Sequence, residues 1–254
     1  MTDTSPSIAP LLIIGAGLAG WTTVREFRKL DTTTPVVLVT ADSGDFYAKP
    51  TLSNAYAQKR APAQLVSTPA AKMAETLNVT LLAHHQMQSL DTAAQTALVS
   101  HNGETQTLRY SQLVLATGAH PIRIPVAGSA AGQVKSINNL DDFAAFHQAL
   151  GLDPNAAAQT TPTTVVIMGA GLIGCEFAND LVQAGVTMHV VDPSPRPLTL
   201  LLPADASEQL QTALQAQGVV WHFGTTVTAV DEAGNGVRVQ LADGSGVEAQ
   251  MVLS

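Results

Sequence analysis

The 254 residues are 46% hydrophobic, enough to bury one large core or two ordinary ones, and the formal net charge of −8 argues against nucleic acid as a partner. The one cysteine, Cys175, excludes an intramolecular disulfide, a redox cysteine pair and a cysteine-rich metal site. The opening MTDTSPSIAP is no signal peptide and no apolar run reaches the ~18 residues of a membrane span, which points to a cytoplasmic chain without a membrane partner.

Residues 1–10 read as a flexible leader. LLIIGAGLAGWTTVREFRKL then joins an apolar run to a G-x-G-x-x-G turn and an amphipathic helix, and VVLVTAD follows as a second apolar run, which makes a βαβ unit. Gly15 sets the tight strand-to-helix turn, Gly17 lets backbone approach a pyrophosphate, and Gly20 lets the helix pack close to the strand. With Ala16, Leu18 and Ala19 between them they form a candidate phosphate seat at a helix N-terminus. Thr40 stands where an acid for ribose hydroxyls is expected. Asp42 follows two residues later, as a ribose ligand or as a turn residue before Ser43 and Gly44.

After the mixed stretch FYAKPTLSNAY come the alternating segments VTLLAHHQMQSL, QTALVSHNGETQTLRY and QLVLATGAHP, with a hairpin turn at Asn102-Gly103. His84 and His85 are adjacent on an expected strand and so point to opposite faces, which leaves no metal site there. NNLDDFAAFHQAL is a short amphipathic helix, and GLDPNAAAQTTPTT is a Pro/Ala/Thr-rich connection.

VVIMGAGLIGCEFANDLVQAG and VTMHVVD repeat the βαβ unit, with Gly169, Gly171 and Gly174 as the second fingerprint. Two copies in matched settings argue against mere compact turns. Asp192, 18 residues after Gly174, can accept from a 2′-OH and would repel a 2′-phosphate. That favours NADH, while the nearby Arg196 keeps NADPH open. Glu176 is expected in the first helical turn, where an acid gains ~0.3–1 kcal/mol from the helix dipole; Cys175 beside it reads as a packing residue. A helix at DASEQLQTALQAQG and strands in GVVWHFGTTVTAVD and NGVRVQLADGSGVEAQ follow, with turns at Asn235-Gly236 and Asp243-Gly244. The closing MVLS falls where the first half has LVLATG, with Met251–Ser254 opposite Leu113–Ala116. The expected architecture is α/β: two dinucleotide-binding (Rossmann-like) folds with β-meander crossovers. The first spans 11–118, a connection 119–163, the second, inserted fold 164–246, and 247–254 begins the return to the first.

Two such folds with LVLATGAHPIRIP between them resemble the two-dinucleotide-binding-domain flavoprotein reductases. That resemblance implies FAD on the first fold, including Asp42 and the closing Ala116-Thr117-Gly118, and NAD(P)H on the second. FYAKPTLSNAY looks like the Y-x-K-P-x-L-S segment of the rubredoxin and flavorubredoxin reductases, and REFRKLD, LVTAD and GLIGCEFANDL also look like the rubredoxin form. Oxygenase-coupled ferredoxin reductases show R-P-P-L-S-K instead; here Asn54 follows Ser53 and Lys49 precedes Pro50. The missing cysteine pair removes the disulfide-reductase reactions of the superfamily. The resemblance further implies Lys49 near the flavin, Met87 against the adenine through its backbone, and Glu176 beside nicotinamide and flavin, paired with Lys49. A solvated Lys49 and a packed Met87 are the plain alternatives.

The implied reaction carries electrons from NADH through FAD to rubredoxin or a similar small acidic iron carrier. Residues 1–140, with 10 Lys/Arg against 8 Asp/Glu, suit such a partner better than residues 141–254, with 2 against 12. A flavorubredoxin, ferredoxin or oxygen reductase is the enzymatic alternative, and a nucleotide-binding module without turnover is the other. Chains of this kind continue past a VLSA-x-G-like strand to a further FAD segment and a C-terminal domain. This one therefore reads as a fragment expected to bind FAD weakly by itself.

Overall fold

The computed structural model describes residues 9–151 and 163–254. Most of the expected leader and the middle of the Pro/Ala/Thr-rich connection lie outside the described residues. In chain order the first elements are strand β1 (Leu11–Ile14), helix α1 (Leu18–Leu30), β2 (Val36–Val39), a 3-10 helix (Lys49–Asn54), α2 (Pro62–Leu65), α3 (Ala70–Leu77) and β3 (Thr80–Leu82). Then come β4 (Gln86–Asp91), β5 (Thr96–His101), β6 (Glu104–Arg109), β7 (Gln112–Leu115) and α4 (Leu140–Leu150). The rest is β8 (Thr164–Met168), α5 (Leu172–Gln183), β9 (Thr187–Asp192), α6 (Ala204–Ala216), β10 (Val219–Phe223), β11 (Val227–Ala233), β12 (Gly236–Leu241), β13 (Gly246–Ala249) and β14 (Met251–Leu253). The chain divides into two compact units, Met1–Lys49 with Val66–His120, and Pro50–Leu65 with Pro121–Ser254.

The first unit holds a parallel sheet in the order β3-β2-β1-β7 and an antiparallel meander β4-β5-β6. Every residue of β1 is buried, because both faces of this central strand are covered. Leu11 and Ile13 pack with Trp21, Val24 and Met73 on the helical side, and Leu12 and Ile14 pack with Val99 and Tyr110 of the meander. Trp21 is fully buried, and its indole N–H donates to the Gly44 carbonyl at 2.8 Å, which pins the loop after β2 to α1. Arg28 closes the C-terminal end of α1: its guanidinium donates to the carbonyls of Asp31, Thr34, Leu77 and Asn78. Asn102 and Gly103, at φ +50° and +85°, make the expected hairpin turn between β5 and β6.

His84 and His85 correct the sequence expectation. They lie in a turn between β3 and β4, not on a strand. Their backbone N–H groups donate to Asp42 and Thr40 carbonyls, and His84 has φ +56°. The His85 ring stacks on His101 at 4.5 Å. Among the described residues no group of three or more His, Cys, Asp or Glu is placed to hold a metal ion.

The second unit repeats the plan: a parallel sheet β10-β9-β8-β14 and a meander β11-β12-β13. Val165 and Ile167 pack with α5 on one face, and Val166 and Met168 pack with the meander on the other. Helix α4 begins in a capping box, in which Asn139 accepts from the Asp142 N–H and Asp142 accepts from the Asn139 N–H.

Three boundaries move. The expected break at 246 falls inside this unit, because β13 pairs with β12 and β14 pairs with β8. Pro50–Leu65 and the stretch from Pro121 also belong to this unit. The register of the closing strand shifts by one residue. Val165 faces Met251, whereas Leu11, its counterpart counted back from the first glycine, faces Gln112, so Met251 corresponds to Gln112 and not to Leu113. The outer edge of β14 is occupied: Lys135 N–H donates to Val252 and Ser254 N–H donates to Lys135. The turn expected at Asn235-Gly236 sits one residue earlier, at Gly234-Asn235, since Gly236 already pairs with Ala233. No helix of the described residues is long and apolar enough to cross a membrane.

Candidate dinucleotide-binding sites

In the first unit the strand β1 is followed by Gly15, which takes φ +108°. A Cβ on Gly15 would stand 2.2 Å from the Ala116 carbonyl oxygen, and one on Gly20 would stand 1.8 Å from the Gly15 carbonyl oxygen. These glycines are therefore required by close packing of turn, helix and β7. Gly17 differs: nothing lies within 4 Å of where its Cβ would be. It caps α1 with no side-chain hydrogen bond, and it, Leu18 and Ala19 are exposed, while Ala16 is buried beneath the turn. The result is an open recess at a helix N-terminus, walled by glycine and lined by backbone N–H groups, which fits the pyrophosphate of a dinucleotide such as FAD.

The rest of the first candidate set is distributed around this turn. Ala116 donates its N–H to Ile14 at 2.7 Å and so sits directly beside the turn, while Thr117 and Gly118 continue exposed, Gly118 at φ +71°. Asp42 acts as a turn residue: its Oδ1 accepts from the Thr40 hydroxyl at 2.6 Å and from the Gly44 N–H at 3.0 Å. Met87 is half-buried on β4 and packs with the meander core. Lys49 opens the 3-10 helix Lys49–Asn54 and is exposed.

The second unit builds the same recess. Gly169 has φ +114°, a Cβ on Gly174 would stand 2.1 Å from the Gly169 carbonyl oxygen, and Gly171 is open and caps α5 without a side-chain bond. Here a carboxylate supports the turn. Asp192, at the end of β9, accepts from the Ala170 N–H at 2.6 Å through Oδ2 and from the Ser194 N–H at 2.7 Å through Oδ1. Each carboxylate oxygen has a further lone pair, so a ribose hydroxyl can still bind. Cys175 is buried, donates weakly to the Ala170 carbonyl at 3.5 Å, and has its thiol pushed up to about 11 by burial and then by the charges of Asp192 and Glu176. It is a packing residue and not a thiolate.

Glu176 overturns one argument made from the sequence. Helix α5 starts at Leu172, so Glu176 is past the first turn, which carries no acid. The dipole does not account for it. Its carboxylate Oε2 instead accepts from the Ser53 hydroxyl at 2.5 Å. One helical turn on, Asp180 is 1% exposed and accepts from the backbone N–H groups of Tyr56 at 3.0 Å and Ala57 at 2.6 Å. Burial pushes its carboxyl up, against the two N–H donors. Tyr56 lies face to face with His147 at 5.4 Å and edge-on to Phe143 at 5.7 Å. Its phenol is pushed up by burial and by Asp180. Ser53, Tyr56 and Asp180 were not singled out from the sequence. The available signal was Asp180, an acid on the buried stripe of an otherwise apolar helix face.

Residues 9–254 match the model of a family described as pyridine nucleotide-disulphide oxidoreductase. The chain belongs to the pyridine nucleotide-disulphide oxidoreductase family. Within this family it is similar to proteins named Rubredoxin-NAD(+) reductase from Acinetobacter baylyi and Alcanivorax borkumensis, at 40% and 42% identity over 96% of this chain. A protein named Nitric oxide reductase FlRd-NAD(+) reductase from Aeromonas hydrophila is 36% identical over 96% of this chain and 59% of its own length. The chain spans 61% of the length of the two rubredoxin-named relatives. Among solved structures, a ferredoxin reductase for the CYP199A2 system of Rhodopseudomonas palustris superposes with a TM-score of 0.82 at 27% identity, over 96% of this chain and 57% of that one. With Cys175 alone, the sequence has no cysteine pair to cycle.

Proposed function

We propose that this chain carries the FAD-binding and NADH-binding folds of an NADH-dependent flavoprotein reductase that passes electrons to a rubredoxin-type iron carrier. The observation that carries this reading is the pair of open glycine recesses at the N-termini of α1 and α5. The 40% and 42% identity to relatives named Rubredoxin-NAD(+) reductase supports it.

In this reading Gly15, Ala16, Gly17, Leu18, Ala19 and Gly20 hold the FAD pyrophosphate on backbone N–H groups. The Asp42 oxygen not used by its own loop accepts from the ribose, the Met87 backbone meets the adenine, and Ala116, Thr117 and Gly118 close the seat. Lys49 provides a cation toward the flavin. Bound FAD supplies the chemistry that links a hydride donor to a one-electron carrier. In the second unit Gly169, Gly171 and Gly174 receive the NADH pyrophosphate. Asp192 accepts from the ribose 2′-OH, and its charge disfavours a 2′-phosphate. Glu176 orients the nicotinamide end.

A flavorubredoxin as the carrier is the second reading, favoured by the relatives of the nitric oxide reductase system at 36% identity. Anaerobic stopped-flow mixing of the flavin-loaded protein with NADH tests the main proposal. The expected result is bleaching of the flavin absorbance, faster with NADH than with NADPH. A flavin that stays oxidised sinks the proposal. Bleaching without reduction of added rubredoxin sinks only the carrier, and rates with rubredoxin and flavorubredoxin then decide between the two.

A further inference from the structure

We propose that Ser53 is a positioning residue for Glu176 and, through it, for the nicotinamide dinucleotide at the second glycine turn; this rests on the function proposed above. The Ser53 hydroxyl has two acceptors in reach, the Glu176 carboxylate at 2.5 Å and the Pro50 carbonyl at 3.2 Å. It has one proton to give. The nearer and charged acceptor takes it. Ser53 is 5% exposed, so this donor is fixed by packing and has little competition from water. Glu176 itself is exposed, and a glutamate in that setting samples several rotamers unless something holds it.

The hold is set by a second contact on the same helix face. Glu176 and Asp180 are spaced i, i+4 on α5, and their carboxylates grip the segment 53–57 at both ends, one through the Ser53 hydroxyl and one through the Tyr56 and Ala57 N–H groups. Asp180 is buried and has two backbone donors, so it sets the register of the segment. Ser53 is thereby placed to catch Oε2 of Glu176. Among the described residues Oε1 of Glu176 has no protein donor, which leaves an acceptor on the helix whose first turn forms the second recess. A carboxylate oxygen fixed there matches the amide donor of a nicotinamide carboxamide. Loss of the Ser53 donor should weaken ground state and transition state equally, and so act on binding rather than on turnover.

The test uses flavin-loaded protein with Ser53→Ala, Ser53→Thr, Ser53→Val and Glu176→Ala. Calorimetry with NAD+, which reduces nothing, reads binding, and steady-state kinetics read KM and kcat separately. From the rotamer freedom returned to Glu176, Ser53→Ala should raise both the NAD+ dissociation constant and KM for NADH about 5–10-fold, with kcat within about 2-fold. Ser53→Thr should restore binding, and Ser53→Val, of the same shape without the hydroxyl, should not. On a Glu176→Ala background Ser53→Ala should add nothing. Equal binding by the Thr and Val variants overturns the proposal, as does an undiminished Ser53→Ala effect without Glu176. A wild-type protein that binds no NAD+ overturns the functional reading and this inference with it.

Discussion

Within each glycine turn close packing and the proposed pyrophosphate seat fall on different glycines, and substitution can tell them apart. Gly20 is forced by packing, since a methyl there would stand 1.8 Å from the Gly15 carbonyl oxygen. Backbone must move, and overpacking of this kind costs about 1–3 kcal/mol. Gly17 has ordinary φ of −70° and empty space around it. Alanine at this cap should cost about 1 kcal/mol or less. Yet its methyl would occupy the recess. We therefore expect Gly20→Ala to lower the urea midpoint clearly. Gly17→Ala should unfold close to wild type but bind FAD at least about tenfold more weakly, a loss of about 1.4 kcal/mol. Flavin fluorescence titration of Gly17→Ala decides the point, and wild-type affinity would remove the first recess as the FAD seat. The packing purpose of Gly15 and Gly20 was legible in the sequence because it is local to the turn. Ser53 and Glu176 are 123 positions apart, and no spacing rule links a serine in a 3-10 helix to a glutamate in the second unit's first βαβ helix. The same distance hid the partner of Asp180.

Elements were legible where a short-range pattern named them, and less so where register or an end point mattered. The β5–β6 hairpin and helix α4 followed from Asn102-Gly103 and from the amphipathic pattern of NNLDDFAAFHQAL. The closing strand slipped by one residue because an apolar triplet such as Met251–Leu253, buried on every residue, has no alternation to fix its register. Glu176 was misplaced because the helix opens on Leu172, two residues before the third glycine. A pairing that no sequence pattern announces joins β9 and β10: His189 Nδ1 and His222 Nε2 lie 2.9 Å apart and share one hydrogen bond. Burial, and then the second ring, pull His189 below its ordinary value of 6.5. The unfolded chain therefore takes up this proton before the folded one does. The contribution of His189 is intact above pH 6.5 and is lost as pH falls toward its lowered folded value. Urea midpoints measured from pH 8 to pH 5 should fall below pH 6.5, and His189→Gln should flatten that limb. An unchanged slope in the variant would assign the acid sensitivity elsewhere.

For the whole molecule, charge sets two opposed expectations for the proposed carrier, taken as small and acidic. The formal net charge of −8 repels it, while residues 1–140, with 10 Lys/Arg against 8 Asp/Glu, attract it. Which one governs depends on range. At ~0.1 M salt the screening length is about 10 Å, shorter than a domain, so a carrier feels the surface it approaches more than the distant remainder. The acidic excess lies in residues 141–254, which carry 2 Lys/Arg against 12 Asp/Glu. Docking on Lys/Arg side chains of residues 1–140, six of them in the first unit and four in the second, therefore predicts that carrier reduction slows as salt rises. Docking governed by net charge predicts the reverse, because salt would relieve repulsion. Transfer from NADH to the flavin involves no carrier encounter and serves as the internal control. Stopped-flow rates with rubredoxin between about 0.05 and 0.5 M salt, beside NADH-driven bleaching in the same buffers, separate the two. A carrier rate that rises with salt while the bleaching rate stays level would move the docking surface off those cations.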